Sequence, residues 1–173
     1  MTDRAKPLTA ADESFVAFME SAWERHLRLA ILLTGDRWRG EELLQDSLVK
    51  MYERWGKLSR HSDLHAYLRR ALANNNTSMW RRRRRENLVA DVPDRPSPVE
   101  ADSGAEVKRA LMALPPRQRA VVVLRLYEDL SERRVAETLG CPLGTVKSQY
   151  ARALEKLRHL VHERNYEQAR GIR

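Results

Sequence analysis

Residues 131–158 read SERRVAETLGCPLGTVKSQYARALEKLR, and this stretch decides how the rest of the chain is interpreted. It predicts a short helix whose apolar face consists of Val135, Ala136 and Leu139. Ser131 stands where the N-cap of that helix belongs. Gly140 can leave the helix at positive φ, and Pro142 prevents simple continuation. The spacing therefore predicts a helix that ends in a tight turn.

A second predicted helix follows the turn, with Thr145 as its expected cap. Its apolar stripe consists of Val146, Tyr150, Ala153, Leu154 and Leu157. Its opposite face carries side chains that bind phosphates and base edges, namely Lys147, Ser148, Gln149 and Arg152. This arrangement is typical of a helix-turn-helix with its recognition helix second. The alternative is a plain helical hairpin with a solvated basic face.

The charge balance favours a polyanionic partner. The 173 residues contain 32 Lys and Arg against 24 Asp and Glu, a formal net charge of +8. Such an excess also occurs in proteins that bind no nucleic acid. It therefore supports DNA binding only in combination with the predicted helix-turn-helix.

Several features expected of other protein classes are missing. No apolar run is long enough to span a bilayer, and the first residues lack the apolar core of a signal peptide. Cys141 is the single cysteine, which excludes an internal disulfide and a thiolate metal cage. We therefore expect a cytoplasmic protein.

Composition divides the chain into three parts. Residues 12–86 and 105–163 show helical periodicity, whereas 87–104 read NLVADVPDRPSPVEADSG, with three prolines and four acids. Strand-like alternation is absent from both halves. The predicted fold is all-α, with two small helical domains joined by a flexible, acidic, proline-containing linker.

Three helices are predicted in the first domain. The first ends at Gly35, and its apolar positions are Phe15, Phe18, Met19, Ala22, Trp23, Leu29, Ala30 and Leu33. Asp36 can cap a second helix over 37–58, with Leu43, Leu44, Leu48, Met51, Tyr52 and Trp55 inside. Its exposed tip is acidic and carries Glu41, Glu42, Gln45 and Asp46. The third helix runs over 64–86.

The third helix carries a second nucleic-acid feature. A polar block, Asn74, Asn75, Asn76, Thr77 and Ser78, precedes Trp80 and the five arginines Arg81, Arg82, Arg83, Arg84 and Arg85. Amides can read base edges, an indole can stack on an unpaired base, and arginines hold the backbone. The pattern favours binding to single-stranded or melting DNA. For Trp80 alone, packing in the core is an equally good interpretation.

No catalytic group of residues is visible. His159 and His162 lie one helical turn apart, but no third metal ligand is nearby. The carboxylates accompany no nucleophile, and the isolated glycines form no phosphate-binding loop. We expect a protein that is not an enzyme and needs no cofactor or metal.

Three segments together resemble a bacterial sigma-70 family factor of the extracytoplasmic-function (ECF) group, over about 15–86 and 107–160. LLTGDRWRGEELLQDSL resembles region 2.2, AYLRRALANNNTSMWRRRRRE is similar to regions 2.3 and 2.4, and the segment from LPPRQRA to ALEKLR resembles region 4. The resemblance implies a region 2 domain over 12–86, a linker over 87–104 and a region 4 domain over 105–163. It departs at Gly40, where the family usually has alanine, at Gln149, where many members have arginine, and at Tyr150, where an aliphatic residue is common.

The resemblance also implies partners and contact residues. Core RNA polymerase is expected to bind through its β′ clamp at Glu42, Gln45 and Asp46, and through its β flap at region 4. The −10 element of promoter DNA is assigned to Asn74, Asn75, Ser78, Trp80, Arg81 and Arg82. The −35 element is assigned to Thr145, Lys147, Ser148, Gln149 and Arg152. An anti-sigma factor is a further candidate partner, whose existence the sequence leaves open.

The sequence thus predicts a promoter-specificity subunit of RNA polymerase. A conventional helix-turn-helix regulator would use only the second half and leave the acidic helix without a role. A non-specific basic nucleic-acid-binding protein would use the arginines without sequence preference. Neither alternative accounts for both halves.

Overall fold

The computed structural model describes residues 7–60, 63–87 and 103–170, and all regular structure in these ranges is helical. The helices are α1 (Ala10–Thr34), α2 (Arg37–Tyr52), α3 (Trp55–Leu58), α4 (Leu64–Asn87), α5 (Ser103–Met112), α6 (Pro116–Leu126), α7 (Glu132–Leu139) and α8 (Leu143–Arg170). The predicted all-α class is confirmed. No helix within the described residues is both long and apolar enough to cross a membrane.

Local capping signals set the bounds of α1 and α2. Thr9 and Asp12 form a capping box at the start of α1, in which each side chain binds the backbone N–H of the other residue. α1 ends at Gly35, whose φ is 94°. The Asp36 side chain then accepts a hydrogen bond of 2.8 Å from the backbone N–H of Arg39. The predicted end of the first helix and the predicted cap of the second are both confirmed.

Gly40 allows α1 and α2 to approach closely. A Cβ atom at this position would lie 2.7 Å from Cγ1 of Ile31 and 3.0 Å from its backbone nitrogen. An alanine could fit only if the two helices moved apart. This contact explains why glycine stands where the resembled family usually has alanine.

The predicted helix over 37–58 is wrong in one respect, because it breaks into α2 and α3. The break lets the Trp55 ring pack edge-on against Phe15, with centroids 5.0 Å apart, while its indole N–H donates to Ser14 Oγ at 2.8 Å. Burial of this large side chain therefore outweighs continuous helical hydrogen bonding. Tyr52, which the pattern assigned to the core, is 47% exposed.

The helix-turn-helix forms as predicted, with one correction. Ser131 caps α7 through a hydrogen bond from the Arg134 N–H, and Gly140 ends it at φ 62°. Thr145 is not the cap of the recognition helix, because α8 already begins at Leu143. The Pro142 carbonyl accepts the first hydrogen bond of the turn, from the Thr145 N–H at 2.9 Å. Thr145 therefore lies inside the first turn of α8.

The two halves of the chain pack against each other. A large hydrophobic cluster built on α1, α2 and α4 also contains residues of the second half, namely Leu111, Leu114, Ala120, Val122, Val123 and Ala153. The predicted linker falls largely on 88–102, outside the described residues, as do its acids Asp91, Asp94, Glu100 and Asp102. The domain limits remain a prediction.

Candidate polymerase and nucleic-acid interfaces

The acidic residues predicted to bind polymerase point away from the core. Leu43 and Leu44 on the inner side of α2 have no exposed surface, which fixes the rotation of the helix. Gln45 and Asp46 are consequently exposed. The Glu42 side chain is 40% exposed and pairs with Arg83 of α4, with Oε2 and Nη2 2.8 Å apart. The arginine run and the acidic helix are thus in direct contact.

Large apolar side chains extend the same face of α2. Trp38, Val49 and Tyr52 are 77%, 59% and 47% exposed. At about 100° per residue, positions 38, 42, 45, 49 and 52 fall within one narrow stripe. Exposed apolar groups clustered beside carboxylates are typical of a protein-binding surface. We call this surface the α2 face, which consists of Trp38, Glu42, Gln45, Asp46, Val49 and Tyr52.

Sequence reasoning missed part of the α2 face. The sequence pattern does not single out Trp38 or Val49, and it predicts Tyr52 in the core. The sequence does carry a signal for Trp38. It is the second residue of α2 after the Asp36 cap, so it lies in the first turn, before the helix packs against the core. No comparable signal marks Val49.

The three consecutive asparagines of α4 have three different environments. Asn76 is buried, and its Nδ2 donates to the Leu33 carbonyl at 3.3 Å. Asn75 donates to Ser47 Oγ at 2.9 Å and accepts from Lys50 Nζ at 3.0 Å. Asn74 is exposed. Two of the three amides therefore fasten α4 to its neighbours, including Asn75, which the resemblance assigned to DNA.

The predicted −10 residues divide between two sides of α4. Asn74, Ser78 and Arg81 follow one another at helical spacing and line the same cleft. Trp80 lies elsewhere on the helix and is 41% exposed, with the Arg84 guanidinium 5.3 Å from its ring centre. Arg82 is also exposed. The core-packing interpretation of Trp80 is thus wrong, since a packed core residue would be covered.

The recognition helix presents its polar side outward. Lys147, Ser148 and Arg152 are exposed, whereas Gln149 and Thr145 are half-buried. Val146 on the inner side has no exposed surface. Three of the five predicted −35 residues are therefore exposed on α8, whereas Thr145 and Gln149 line the cleft against α4.

Tyr150 packs the recognition helix against the rest of the molecule. Its ring packs against both hydrophobic clusters of the molecule. The Arg125 guanidinium lies 5.6 Å from the ring centre, within cation–π range. An aromatic residue at this position is therefore well accommodated, although aliphatic side chains are common there in the resembled family.

A cleft separates the two predicted DNA-reading surfaces. Its volume is about 250 Å³. One wall comes from α4 and includes Asn74, Thr77, Ser78 and Arg81, and the other includes Leu139, Cys141, Thr145, Val146 and Gln149. Sequence reasoning did not predict this arrangement, because no local pattern relates residues so distant in the chain.

Metal binding finds no support within the described residues. They contain no group of three or more His, Cys, Asp and Glu side chains arranged around a common point. His159 is exposed on α8, and the His162 side chain lies outside the described part.

Comparison with known proteins places the chain in a family. Residues 104–157 match the family described as Sigma-70, region 4. An RNA polymerase sigma-E factor of Streptomyces avermitilis is 36% identical over 157 residues, covering 87% of each protein. The ECF RNA polymerase sigma factor SigE of Mycolicibacterium smegmatis is 31% identical, covering 94% of this chain and 67% of the relative. The chain belongs to the ECF group of sigma-70 factors.

Two solved structures resemble this sigma factor, in agreement with its assignment to the family. The sigma factor RpoE of Bartonella quintana, crystallised with the anti-sigma factor NepR, gives a TM-score of 0.70 at 28% identity, covering 87% of this chain and 98% of that one. CnrH, solved with the cytosolic domain of CnrY, gives 0.63 at 20% identity, which shows a common fold. The sigma factor directs transcription initiation together with core RNA polymerase.

Proposed function

We propose that this sigma factor divides its task among three surfaces. The α2 face binds the β′ clamp of core polymerase, α4 opens and holds the −10 element, and α8 reads the −35 element, with region 4 also touching the β flap. The observation that carries the proposal is the α2 face, where Trp38 and Val49 are exposed beside Gln45 and Asp46. A DNA-binding protein that works alone has no use for such a surface.

The charges of the three surfaces support this division. The α2 face is acidic, whereas α4 carries Arg81 and Arg82, and α8 carries Lys147 and Arg152, on exposed surface. Basic side chains are suited to phosphates, and acidic ones would repel them. The acidic face therefore needs a protein partner. The factor acts by binding rather than by catalysis, in the cytoplasm where the polymerase works.

An anti-sigma factor is part of the proposal. The Bartonella quintana relative, which shares the fold at 28% identity, was solved in complex with such a protein. An anti-sigma factor that covered the α2 face would compete with core polymerase for the same exposed side chains.

Capture of core polymerase separates the proposal from its two alternatives. The immobilised chain should retain core polymerase, whereas a conventional helix-turn-helix regulator should not. Excess random duplex should leave promoter binding by the assembled holoenzyme intact, because base contacts are specific. A non-specific basic protein would lose its promoter under the same competition. Failure to retain core polymerase would contradict the proposal.

Trp80→Ala should impair strand opening rather than initial binding. Stacking on an exposed base contributes about 1–3 kcal/mol, enough to decide whether a melted base stays out. Open-complex yield, measured by permanganate reactivity, should fall more on duplex promoters than on templates already mismatched across the −10 element. Trp38→Ala is the control, since this exposed indole lies on the α2 face rather than on α4. Trp38→Ala should reduce the open-complex yield equally on both templates, because it weakens polymerase binding. Equal losses with Trp80→Ala would remove it from the −10 contacts.

Gln149→Arg should change the preferred base at one −35 position. A glutamine amide suits the adenine N6/N7 edge, whereas an arginine prefers guanine O6/N7, and a good bidentate pair is worth roughly 1–3 kcal/mol. Arg152→Ala should instead lower activity similarly on all promoters and reduce the salt dependence by about one phosphate contact. Selection from a library of −35 variants measures both effects. An unchanged preference with Gln149→Arg would leave base reading to Lys147 and Ser148.

A further inference from the structure

One side of α4 faces α2, the helix to which polymerase binding is assigned. Asn75, Met79 and Arg83 follow one another at intervals of four residues, so they form one stripe along α4. Met79, in the middle of the stripe, is partly buried and packs against the large hydrophobic cluster. Asn74 and Ser78 lie on a different side of the helix and line the cleft. The α2-facing stripe is therefore separate from the side chains predicted to contact the −10 element.

Asn75 makes the first polar contact between this stripe and α2. Its Nδ2 donates to Ser47 Oγ at 2.9 Å, and its Oδ1 accepts from Lys50 Nζ at 3.0 Å. Ser47 is fully buried, and its hydroxyl donates to the Leu43 carbonyl at 2.7 Å. The hydroxyl that accepts from the amide is thus itself held within α2. Both polar ends of the Asn75 side chain bind the same helix.

Arg83 makes the second polar contact, with Glu42 of α2. Its Nη2 lies 2.8 Å from Glu42 Oε2, and the two side chains are 38% and 40% exposed. Arg83 is half-buried, whereas the other four arginines of the run 81–85 are exposed. An ion pair that solvent reaches adds little to the stability of the fold. It still fixes where this part of α4 lies relative to α2.

The two contacts are far enough apart to fix the angle between the helices. Arg83 lies eight positions after Asn75, which is about 12 Å along a helix. Their partners on α2 run in the opposite order, since Glu42 precedes Ser47 and Lys50. A single contact would leave α4 free to pivot. A tilt of about 15° around one contact would move the other end of this stretch by about 3 Å, close to the rise of one base pair.

We propose that Asn75 and Arg83 are positioning residues, which set the angle at which α4 meets the promoter and thereby the preferred spacing of the two promoter elements. This inference rests on the proposed function, in which α2 is held by the β′ clamp and region 4 touches the β flap. Because polymerase then fixes both α2 and region 4, the angle between α2 and α4 determines where the −10 element must lie. Asn75 acts through α2 and reads no base.

The preferred promoter spacing measures this angle. The full-length chain and core polymerase transcribe three templates, which carry the same −10 and −35 elements at the preferred spacing, one base pair shorter and one base pair longer. Asn75→Ala removes two hydrogen bonds, and Arg83→Gln removes the ion pair. Each variant should reduce the preference for the best spacing by about threefold or more, since a lost contact lets α4 tilt. A loss of stability alone would lower transcription from all three templates by the same factor.

The double variant Asn75→Ala, Arg83→Gln separates positioning from contact with DNA. Loss of either contact already frees the angle, so the double variant should relax the spacing preference little more than either single variant. Two independent contacts with DNA would instead leave the spacing preference unchanged and lower transcription by factors that multiply.

Neighbouring residues of the same type provide matched controls. Asn74→Ala replaces an exposed asparagine next to Asn75, and Arg84→Gln replaces an exposed arginine next to Arg83. Asn74 lines the cleft, and the Arg84 guanidinium lies over the Trp80 ring. Both controls should keep the wild-type spacing preference. Asn74→Ala should instead alter the preferred base at the −10 element, as expected for an amide that reads a base edge.

Circular dichroism shows whether the variants are folded. Asn75→Ala and Arg83→Gln should keep the wild-type helical content. If Asn75→Ala loses helicity, the partly exposed Arg83 alone decides. An unchanged spacing preference in the folded variants, or a changed −10 base preference with Asn75→Ala, would overturn the positioning role. Absence of any transcription with the wild-type chain would instead contradict the proposed function itself.

Discussion

Asp46→Lys should weaken binding of this sigma factor to core RNA polymerase by about tenfold or more while leaving the helix-turn-helix intact. Asp46 is exposed on the α2 face, so its replacement disturbs no packing. Reversing a charge within a complementary interface replaces attraction with repulsion, which costs several kcal/mol when the pair is desolvated. Competition with the wild-type factor for a limiting amount of core polymerase measures the loss.

Two comparisons make the Asp46→Lys result specific. Glu20→Lys introduces the same charge change at an exposed position of α1, away from the α2 face, and should compete like the wild type. The double variant Asp46→Lys, Glu42→Lys should bind core polymerase more weakly still. Glu42 also pairs with Arg83, so the effect of the second substitution includes a change at α4. Equal competition by Asp46→Lys and the wild type would show that the α2 face is not the polymerase contact.

Arg119→Ala should be among the most destabilising single substitutions in the chain. The Arg119 side chain is buried and donates to four carbonyls, those of Leu33, Leu111, Met112 and Leu114, at 2.7 to 3.4 Å. These carbonyls lie at or just beyond the C-terminal ends of α1 and α5, where backbone donors are scarce, so one guanidinium binds both helix ends. Burial lowers the pKa of Arg119 to about 10, which still keeps the group charged at neutral pH.

Arg119→Ala should lower the free energy of unfolding by about 3 kcal/mol, since four hydrogen bonds are lost at once. For a chain of this size that corresponds to roughly 10 °C in the melting temperature. The Leu33 and Leu111 carbonyls keep one donor each, from Asn76 Nδ2 and the Leu114 N–H.

Arg117→Ala is the control, because Arg117 lies two residues earlier on the same helix and is exposed. Arg119→Lys should have an intermediate melting temperature, since a single ammonium group has only three hydrogens to donate. If the melting temperature of Arg119→Ala lay within a degree of that of Arg117→Ala, the stabilising role of Arg119 would be contradicted.

Features set by local chemistry could be predicted from the sequence. Ser131 and Gly140 bracket α7 because a hydroxyl satisfies a helix N-terminus and a glycine tolerates the left-handed turn. Asp36 marks the start of α2 for the same reason. The apolar periodicity of α8 correctly placed Val146 and Ala153 inside. Each of these depends on residues within a turn or two of one another.

Features set by contacts distant in sequence could not be predicted. The break before α3 arises because Trp55 packs on α1, about forty residues away, and a helical pattern carries no record of that partner. Asn75 and Asn76 looked like DNA-reading amides but bind α2 and α1. Glu128 attracted no notice, since a lone acid before a turn is ordinary until its two ion pairs with α1 and α4 are known.

In the proposed function, one chain reads two promoter elements while it is bound to core polymerase. This function can be measured by reconstituted transcription with purified core polymerase, over a library that randomises the −10 element, the −35 element and their spacing. We expect transcripts only when this factor is present, sequence enrichment at both elements and a single preferred spacing. Enrichment at the −35 element alone, or transcripts independent of the factor, would contradict it.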